Sequence, residues 1–311
     1  MEHENSPNQW TDDQWSLVQQ TVREEARKVR VARSFLPIDG PYPPETDAVP
    51  VKELNDTQPI PLPILRGEAG MRMEVDDRTT RALTSLSVNV YLRNSQNAQP
   101  DLSSAITMFR RAANIIARCE DYLVFHGQFA NVNQNSFQRI PQFFTVSGGG
   151  AQWRGLLSTG RFYNAGLGIH VVRTASNRNN YLTSGNSIVT WVSQAMSVLE
   201  SEGHLGPFAL VLGNTLFEIA HDPTVSLVMP ADRLKPMLVG GPLLRSSTLN
   251  GMEGILISLA GDPVEIVVPS DISVRFLQVT TEPRHVYRVS QRFTLRIKQP
   301  GSLCALLPPG T

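Results

Sequence analysis

The 311-residue chain has few cysteines and no net charge. Cys119 and Cys304 are its only cysteines, and their wide separation fits neither a disulfide framework nor a zinc spacing. Basic and acidic side chains number 28 each, so the formal charge is zero. A balanced charge gives no long-range attraction for nucleic acid or an anionic membrane, and it permits self-association. We therefore expect no nucleic-acid partner, and the unpaired cysteines favour a reducing, cytoplasmic location.

Long apolar runs are also missing from the sequence. No stretch approaches the roughly 20 apolar residues that a helix needs to cross a bilayer. The polar beginning, MEHENSPNQW, lacks the apolar core of a signal peptide. We expect a protein that neither spans nor binds a membrane.

Catalytic motifs are absent as well. There is no Gly-x-Ser-x-Gly elbow and no His-Glu-x-x-His zinc motif, and the glycines at 148–150 are not followed by Gly-Lys-Ser/Thr. Glu120 and Asp121 are adjacent on a predicted helix, so they point about 100° apart and cannot share one substrate proton. The sequence therefore predicts no catalytic residue, no metal site and no cofactor, and we expect that the protein is not an enzyme.

The strongest positive feature is a long helix, predicted over residues 101–127. Its apolar residues are spaced by three and four, which places them on one face: Ile106, Phe109, Ala113, Ile116 and Leu123. Asp101 follows Pro100 and is the predicted N-cap. Gly127 is the predicted end, because glycine adopts positive φ without strain.

A second amphipathic helix is predicted near the start of the chain. Thr11 and Gln14 have the spacing of a capping box, and Trp15, Val18 and Val22 begin an apolar stripe. Two interpretations stay open for this stripe. Either its own domain covers it, or part of it forms a groove for a partner segment together with Leu36 and Ile38, which follow the helix.

Residues 47–85 differ from their neighbours because prolines at 50, 59, 61 and 63 interrupt short β-like pieces. Such a segment has too little apolar surface to fold alone, so we interpret it as a β-arm that another subunit or domain completes. The chain beyond it alternates strands and helices, which predicts an α+β protein. The later predicted elements are a helix from Ser187, a strand Phe208–Leu212, a short helix Asn214–Ala220, a loop His221–Gly241, and four strands, Gly254–Leu259, Val264–Val268, Ile272–Leu277 and Arg288–Ile297.

Five short motifs, in order along residues 10–307, resemble one family. They are Trp10–Trp15, Gly40-Pro41-Tyr42, the segment from Pro100 through Glu120-Asp121 to Phe125-His126-Gly127, Gly206–Leu212, and the pair Asp271–Val274 with Arg292–Ile297. The chain resembles the encapsulins, bacterial shell proteins with the fold of tailed-phage major capsid proteins. It carries more residues than this family pattern between positions 127 and 155 and between 158 and 186.

The resemblance implies an architecture with four parts. These are an N-terminal helix and proline-rich exit at 1–46, an extended β-loop at 47–85, a peripheral domain at 86–212 and 271–311 that contains the spine helix 101–127, and an axial domain at 213–270. Many copies would form a closed icosahedral shell.

The resemblance also implies partners and sites. The shell would enclose a cargo enzyme, such as a ferritin-like protein or a dye-decolorising peroxidase, with a role in iron storage or oxidative stress through that cargo. A short targeting peptide of the cargo would dock beside the N-terminal helix, at Trp15, Val18, Val22, Leu36 and Ile38. A loop at a symmetry axis would form a pore, with His221, Asp222, Thr224 and Ser226 as candidates.

Two alternatives to a compartment shell remain from the sequence. A phage or prophage major capsid protein has the same fold, although the helix starting near residue 11 leaves no room for a removable leader. A soluble enzyme with an unrecognised site is the other alternative, and the missing motifs disfavour it. Some encapsulins bind flavin against a tryptophan, but residues 90–93 contain none, so no flavin is expected.

Overall fold

The structure, a computed structural model, describes residues 10–43, 45–61, 71–128, 144–147, 153–159, 171–173, 187–222 and 228–308. Two long helices and two five-stranded sheets form the framework of this part of the chain, and shorter helices cover the second sheet. The predicted α+β class is confirmed, and the elements follow from local sequence patterns as described below.

The N-terminal helix α1 spans Asp12–Val29 and begins with the predicted capping box. The Thr11 hydroxyl accepts the Gln14 N–H, and the Gln14 side chain accepts the Thr11 N–H. Val18 and Val22 face the interior and have no exposed surface. A short 3-10 helix, Ala32–Ser34, follows α1.

The spine helix α3 spans Ser103–His126, after the one-turn helix α2, Asn94–Asn97. The prediction of Asp101 as its N-cap was wrong, because Leu102 occupies that position with φ +51°. The Asp101 carboxylate instead accepts the Ser103 N–H, and the Gln99 side chain accepts the Ser104 N–H. Backbone donors that a cap would satisfy are thus bonded by side chains from before the helix.

The first sheet has the order β1-β12-β13-β6-β7, and α1 and α3 pack on it. Only β1 runs parallel to its neighbour. The prediction of two strands between 264 and 277 was wrong, because one strand continues through Pro269 and Ser270 with irregular register there. The bounds are β1 Ile38–Asp39, β6 Thr84–Arg93, β7 Thr145–Ser147, β12 Val264–Val279 and β13 Arg284–Ile297.

The proline-rich segment forms two antiparallel ribbons. They pair β2, Ala48–Pro50, with β5, Thr80–Ala82, and β3, Glu53–Pro61, with β4, Met71–Asp76. In the described part, β3 and β4 pair with each other and with no other strand. The root is fastened by the Leu54 N–H, which donates to the Lys298 carbonyl at 2.7 Å. This is the extended β-loop that the sequence predicted.

The second sheet has the order β10-β9-β11-β14-β8, and its central strands are buried on both faces. One face contacts the core around α3, and the other contacts three helices. The strands are β8 Val171–Arg173, β9 Phe208–Leu212, β10 Leu243–Arg245, β11 Gly254–Ser258 and β14 Leu303–Leu307, and the helices are α4 Ser187–Ser201, α5 Asn214–His221 and α6 Pro230–Met237.

Helix α6 corrects the prediction of a loop over residues 221–241. Pro230 occupies the first turn, where a missing N–H costs nothing. Pro236 removes one hydrogen bond near the end, but Ala231 and Leu234 are buried against α4 and α5. Burial of these side chains therefore outweighs the helix-breaking tendency of the prolines. Strand β14, which has no counterpart among the predicted strands, pairs along β11.

The second sheet contains strands from both of the predicted domains. Strands β9, β11 and β14 lie side by side, although the predicted boundary at 212/213 separates β9 from β11. Likewise, β12 crosses the predicted boundary at 270/271. The division into peripheral and axial domains stays a prediction, and this sheet is the element that the two domains would share.

Candidate functional site

A buried ionic cluster fastens the N-terminal helix to the spine helix. Glu120 of α3 has no exposed surface, and its Oε2 lies 2.8 Å from Nε of Arg30. Its Oε1 accepts a hydrogen bond from Arg33 Nε, and Gln291 donates to Oε2 at 2.6 Å. Asp271 of β12 completes the cluster, 3.1 Å from Arg33 Nη1. The cluster keeps the buried Glu120 charge paired while joining α1, α3 and the first sheet.

The opposite charges of this cluster shift the pKa values of Arg33 and Asp271 in favour of the ionised forms. Burial alone would lower the pKa of Arg33, but Glu120 and Asp271 outweigh that effect and raise it. Burial alone would raise the pKa of Asp271, but the charges of Arg30 and Arg33 lower it. Both side chains therefore stay ionised at neutral pH.

Asp121 has a different role from its neighbour Glu120. Its two carboxylate oxygens accept the backbone N–H groups of Val31 and Ala32 at 2.8 and 3.0 Å, which fixes the 3-10 helix after α1. Burial raises the pKa of Asp121 to about 7, against the opposing effect of those two hydrogen bonds. The two adjacent carboxylates thus serve separate partners, as their angular separation on the helix predicted.

A pocket of about 600 Å³ opens beside the ionic cluster. We call it the arginine pocket. Its walls come from the last turns of α1, the 3-10 helix, β1 and β12. The lining residues are Arg23, Glu24, Arg27, Arg30, Arg33, Ser34, Ile38 and Asp271.

The five residues that were predicted to form the cargo groove do not share one exposed surface. Val18, Val22 and Leu36 are buried in the main core of the subunit, and Trp15 is half-buried with its ring 5.2 Å from that of Trp10. Ile38 is 52% exposed and lines the arginine pocket. In the single subunit, the stripe Val18–Val22 is therefore covered by the chain itself, and of the five residues only Ile38 presents an open apolar surface.

Two of the predicted pore residues, His221 and Asp222, lie at the end of α5. His221 is the last residue of this helix, where its ring lies 4.2 Å from that of Phe217 and its Nδ1 is 2.8 Å from the Phe217 carbonyl. Asp222 is the C-cap residue. Thr224 and Ser226 lie outside the described residues. The role of this segment as a pore stays a prediction.

The described residues contain neither a cluster of metal ligands nor a reactive thiol. No group of three histidine, cysteine or acidic side chains among them is arranged to hold a metal ion. Both thiols are buried, and burial raises the pKa of Cys304 to about 12 and that of Cys119 further. At neutral pH neither forms the thiolate that nucleophilic chemistry requires. No helix in the described ranges has the length and apolar content needed to cross a membrane.

Comparison with known proteins identifies the family. A family model described as "Encapsulating protein for peroxidase" matches residues 3–133 and 163–294, which is most of the chain. The chain belongs to the encapsulin shell protein family. A type 1 encapsulin shell protein of Myxococcus xanthus is 23% identical over 312 residues, covering 96% of this chain and 94% of the relative. A diheme-cytochrome–encapsulin shell fusion protein of Kuenenia stuttgartiensis is 24% identical, covering 94% of this chain and 72% of the relative.

Solved structures show that the encapsulin chain has the capsid fold. A virus-like particle from Pyrococcus furiosus aligns with a TM-score of 0.57 at 14% identity, covering 94% of this chain and 98% of the other. The capsid protein of the myovirus phage XM1 aligns with a TM-score of 0.58 at 11% identity, covering 88% and 90%. The predicted tailed-phage capsid fold is therefore confirmed.

The arginine pocket and the ionic cluster beside it were not predicted from the sequence. Arg30, Arg33, Asp271 and Gln291 were not predicted to meet, because they come from segments far apart in sequence. One local signal existed, since Arg23, Arg27 and Arg30 recur every three or four residues and therefore share a face of α1. The acceptors opposite them depend on the sheet register, which the sequence does not reveal.

Proposed function

We propose that this chain is the shell subunit of a cytoplasmic nanocompartment that encloses a cargo enzyme. The observation that carries the proposal is a family match over most of the chain, combined with a capsid fold that includes the extended β-loop. Shell proteins of this kind assemble into closed, capsid-like oligomers. The subunit itself carries out no catalysis in this proposal.

The cargo is an enzyme that is retained inside the shell by a short terminal peptide. The family description names a peroxidase, and one relative is fused to a diheme cytochrome, so redox proteins are the class that these names favour. A dye-decolorising peroxidase and a ferritin-like protein are the two candidates. Many identical docking sites would retain cargo even if each site binds weakly.

The docking surface is the exposed region where α1, the 3-10 helix and β1 meet. Ile38 is its apolar contact, because the rest of the predicted stripe is covered by the subunit's own core. An extended peptide could bury one apolar side chain there, which contributes about 1.5–3 kcal/mol per site. The pore formed around His221 is a separate part of the proposal.

Co-expression with a candidate cargo, a dye-decolorising peroxidase or a ferritin-like protein that carries its terminal peptide, tests the proposal. Purified particles should contain that enzyme, protected from added protease, and deletion of its terminal peptide should leave the particles empty. Ile38→Asp should reduce cargo content while particles still form, whereas Leu17→Asp, at an exposed leucine of α1 that does not line the pocket, should leave cargo content unchanged. Particles that never contain the enzyme would contradict the cargo role, and an adjacent portal or terminase gene would favour a phage capsid.

A further inference from the structure

Two arginines of β13 hold the root of the extended β-loop on the first sheet. The root is β2, β5 and the residues next to them. Arg292 Nη2 donates to the Thr46 carbonyl at 2.8 Å, and Arg296 Nε donates to the Pro50 carbonyl at 2.9 Å. The two arginines are four residues apart on one strand, so they lie on the same face of the sheet. They therefore bind the backbone just before β2 and at its end.

The second strand of the root is attached to the same sheet. Arg81 of β5 donates through its Nη1 to the Leu295 carbonyl of β13. Val49 of β2 and Leu83 pack with Val267 of β12 in a small apolar cluster. The inner ribbon, β2 with β5, is therefore fixed to the sheet through both of its strands.

Arg296 differs from the other contacts because its charge is buried. Its side chain is 1% exposed, and its Nη1 donates to Asp39 of β1 at 2.6 Å and to Glu265 of β12. Burial alone would lower the pKa of Arg296, but the hydrogen bonds to Glu265 and Asp39 outweigh that effect and raise it. The guanidinium therefore stays ionised, and two carboxylates from different strands fix its plane while Nε points at the loop.

The chain changes direction two residues after Pro50. Lys52 has φ +56°, which is uncommon for a residue other than glycine, and its N–H donates to the Asp76 carbonyl at 2.8 Å. The outer ribbon, β3 with β4, begins there and pairs with no other strand in the described part of the chain. Its nine-residue strand β3 is about 30 Å long. A rotation of about 10° at the base would move the far end by about 5 Å, which is far more than a hydrogen bond tolerates.

We propose that Arg296 is a positioning residue for shell assembly. By holding the Pro50 carbonyl in a fixed place relative to Asp39 and Glu265, it sets the direction in which the extended β-loop leaves the sheet and reaches a neighbouring subunit. A buried ion pair adds little net stability compared with apolar side chains, whereas the planar fork of arginine fixes an angle. The inference rests on the proposed function in one respect, since the loop must connect subunits of a shell.

The change Arg296→Lys separates positioning from charge. The ammonium group keeps a positive charge beside Asp39 and Glu265, so the subunit should still fold. A single ammonium lacks the planar fork that binds both carboxylates and the Pro50 carbonyl in one fixed arrangement. Arg288→Lys is the matched control, because Arg288 lies on the same face of β13 but donates to Asn89 at 3.1 Å, away from the root.

Hydrogen–deuterium exchange of the full-length chain measures the root directly. In Arg296→Lys, the amides of Val51, Lys52 and Leu54 should exchange about tenfold faster than in the wild type, the factor that corresponds to one hydrogen bond. Amides of α3 should be unchanged, and Arg288→Lys should match the wild type in both regions. Unchanged exchange at the root would overturn the proposal, because Arg296 would then not hold the loop. Faster exchange throughout the chain would also overturn it, because Arg296 would then act on the whole fold.

Mass photometry at one protein concentration measures the consequence for assembly. Arg296→Lys should give at least about tenfold fewer particles of wild-type mass, because the displaced loop weakens the same contact in every copy. Arg288→Lys should assemble like the wild type. Uniform particles of wild-type mass, formed by an Arg296→Lys chain whose root exchanges faster, would overturn the proposal. If the wild type itself forms no particles, the proposed function fails, and the exchange experiment still decides whether Arg296 holds the loop.

Discussion

Buried charge at the junction of α1 and α3 determines how individual residues affect stability. Glu120 is fully paired with two arginines and a glutamine, while Asp121 accepts two backbone N–H groups. Removing one partner from such a site leaves a buried charge uncompensated and costs about 3–5 kcal/mol. The effect of a substitution here therefore depends on the partners that remain.

Asp121 should give the subunit a specific pH dependence. Its pKa of about 7 in the folded state lies above the value of about 3.9 in an unfolded chain. Between these values the folded state holds a proton that the unfolded state has released. The free energy of unfolding should therefore fall as pH rises from about 4 to about 7, and this contribution should be level above that.

Asp121→Asn removes this titration. Compared with the wild type, the variant should become relatively more stable as pH rises from about 5 to about 8, in denaturant unfolding followed by tryptophan fluorescence. Asp262→Asn, at an exposed turn residue, is the control and should follow the wild type. Parallel curves for wild type and Asp121→Asn would show that Asp121 does not titrate in this range.

A substitution at Val18 distinguishes the two interpretations of the N-terminal stripe, a buried core face and an open groove for a partner segment. Its side chain is fully buried in the main core, so Val18→Asp should destabilise the subunit by at least about 4 kcal/mol. Soluble protein and particles should both be lost, as measured by sedimentation of the expressed lysate. Normal particles that lack only cargo would instead place Val18 in an open groove.

At the scale of elements, the end of the spine helix depends on a close approach between two chain segments. Gly127 has φ +83°, and a Cβ there would lie 2.3 Å from the backbone nitrogen of Gly155. Gly203 has almost the same φ, +86°, but nothing within 4 Å of a Cβ position. Gly127 also has ψ 172°, a combination of angles that essentially only glycine adopts, so an alanine there meets both backbone strain and the steric clash.

Gly203→Ala should cost about 1 kcal/mol of stability, the penalty of a positive φ for alanine. Gly127→Ala should cost at least about 2 kcal/mol more, because the backbone of residues 153–155 must move as well. The midpoints of denaturant unfolding for the two variants measure the difference. Equal losses in both variants would mean that the approach of Gly155 is not required for the fold.

The extended β-loop is the element on which assembly should depend. Residues 54 and 75 are cross-strand partners, so a deletion of residues 55–74 can be bridged between them without disturbing the root. The shortened chain should fold, as the contact from Leu54 to Lys298 is kept, but it should stay monomeric or form small oligomers in mass photometry. Particles of normal size would show that the loop does not connect subunits.

Elements were predictable from sequence where one local rule dominated. The capping box at Thr11 located the start of α1, and the predicted strand Phe208–Leu212 has the bounds of β9. Prediction failed where burial overrode a local signal: Pro230 and Pro236 lie in a helix, and Pro269 lies within β12. The arginine pocket was beyond prediction because its walls come from segments that only the fold brings together.

At the scale of the whole molecule, the two sheets give the subunit its shape. The first sheet supports the two long helices, and the second is covered on both faces, by the core around α3 and by α4 to α6. Exposed apolar side chains remain that do not line the arginine pocket, among them Leu205, Val239 and Leu277. A closed shell needs contacts between copies, and the zero formal charge opposes such contacts only weakly.

Cryo-electron microscopy of the chain, expressed and purified without any cargo, tests the central claim most directly. The account predicts closed, hollow particles of uniform size, with the extended β-loop of each subunit lying on a neighbouring subunit. Dispersed monomers or small oligomers at the same protein concentration, with no closed particle, would contradict it.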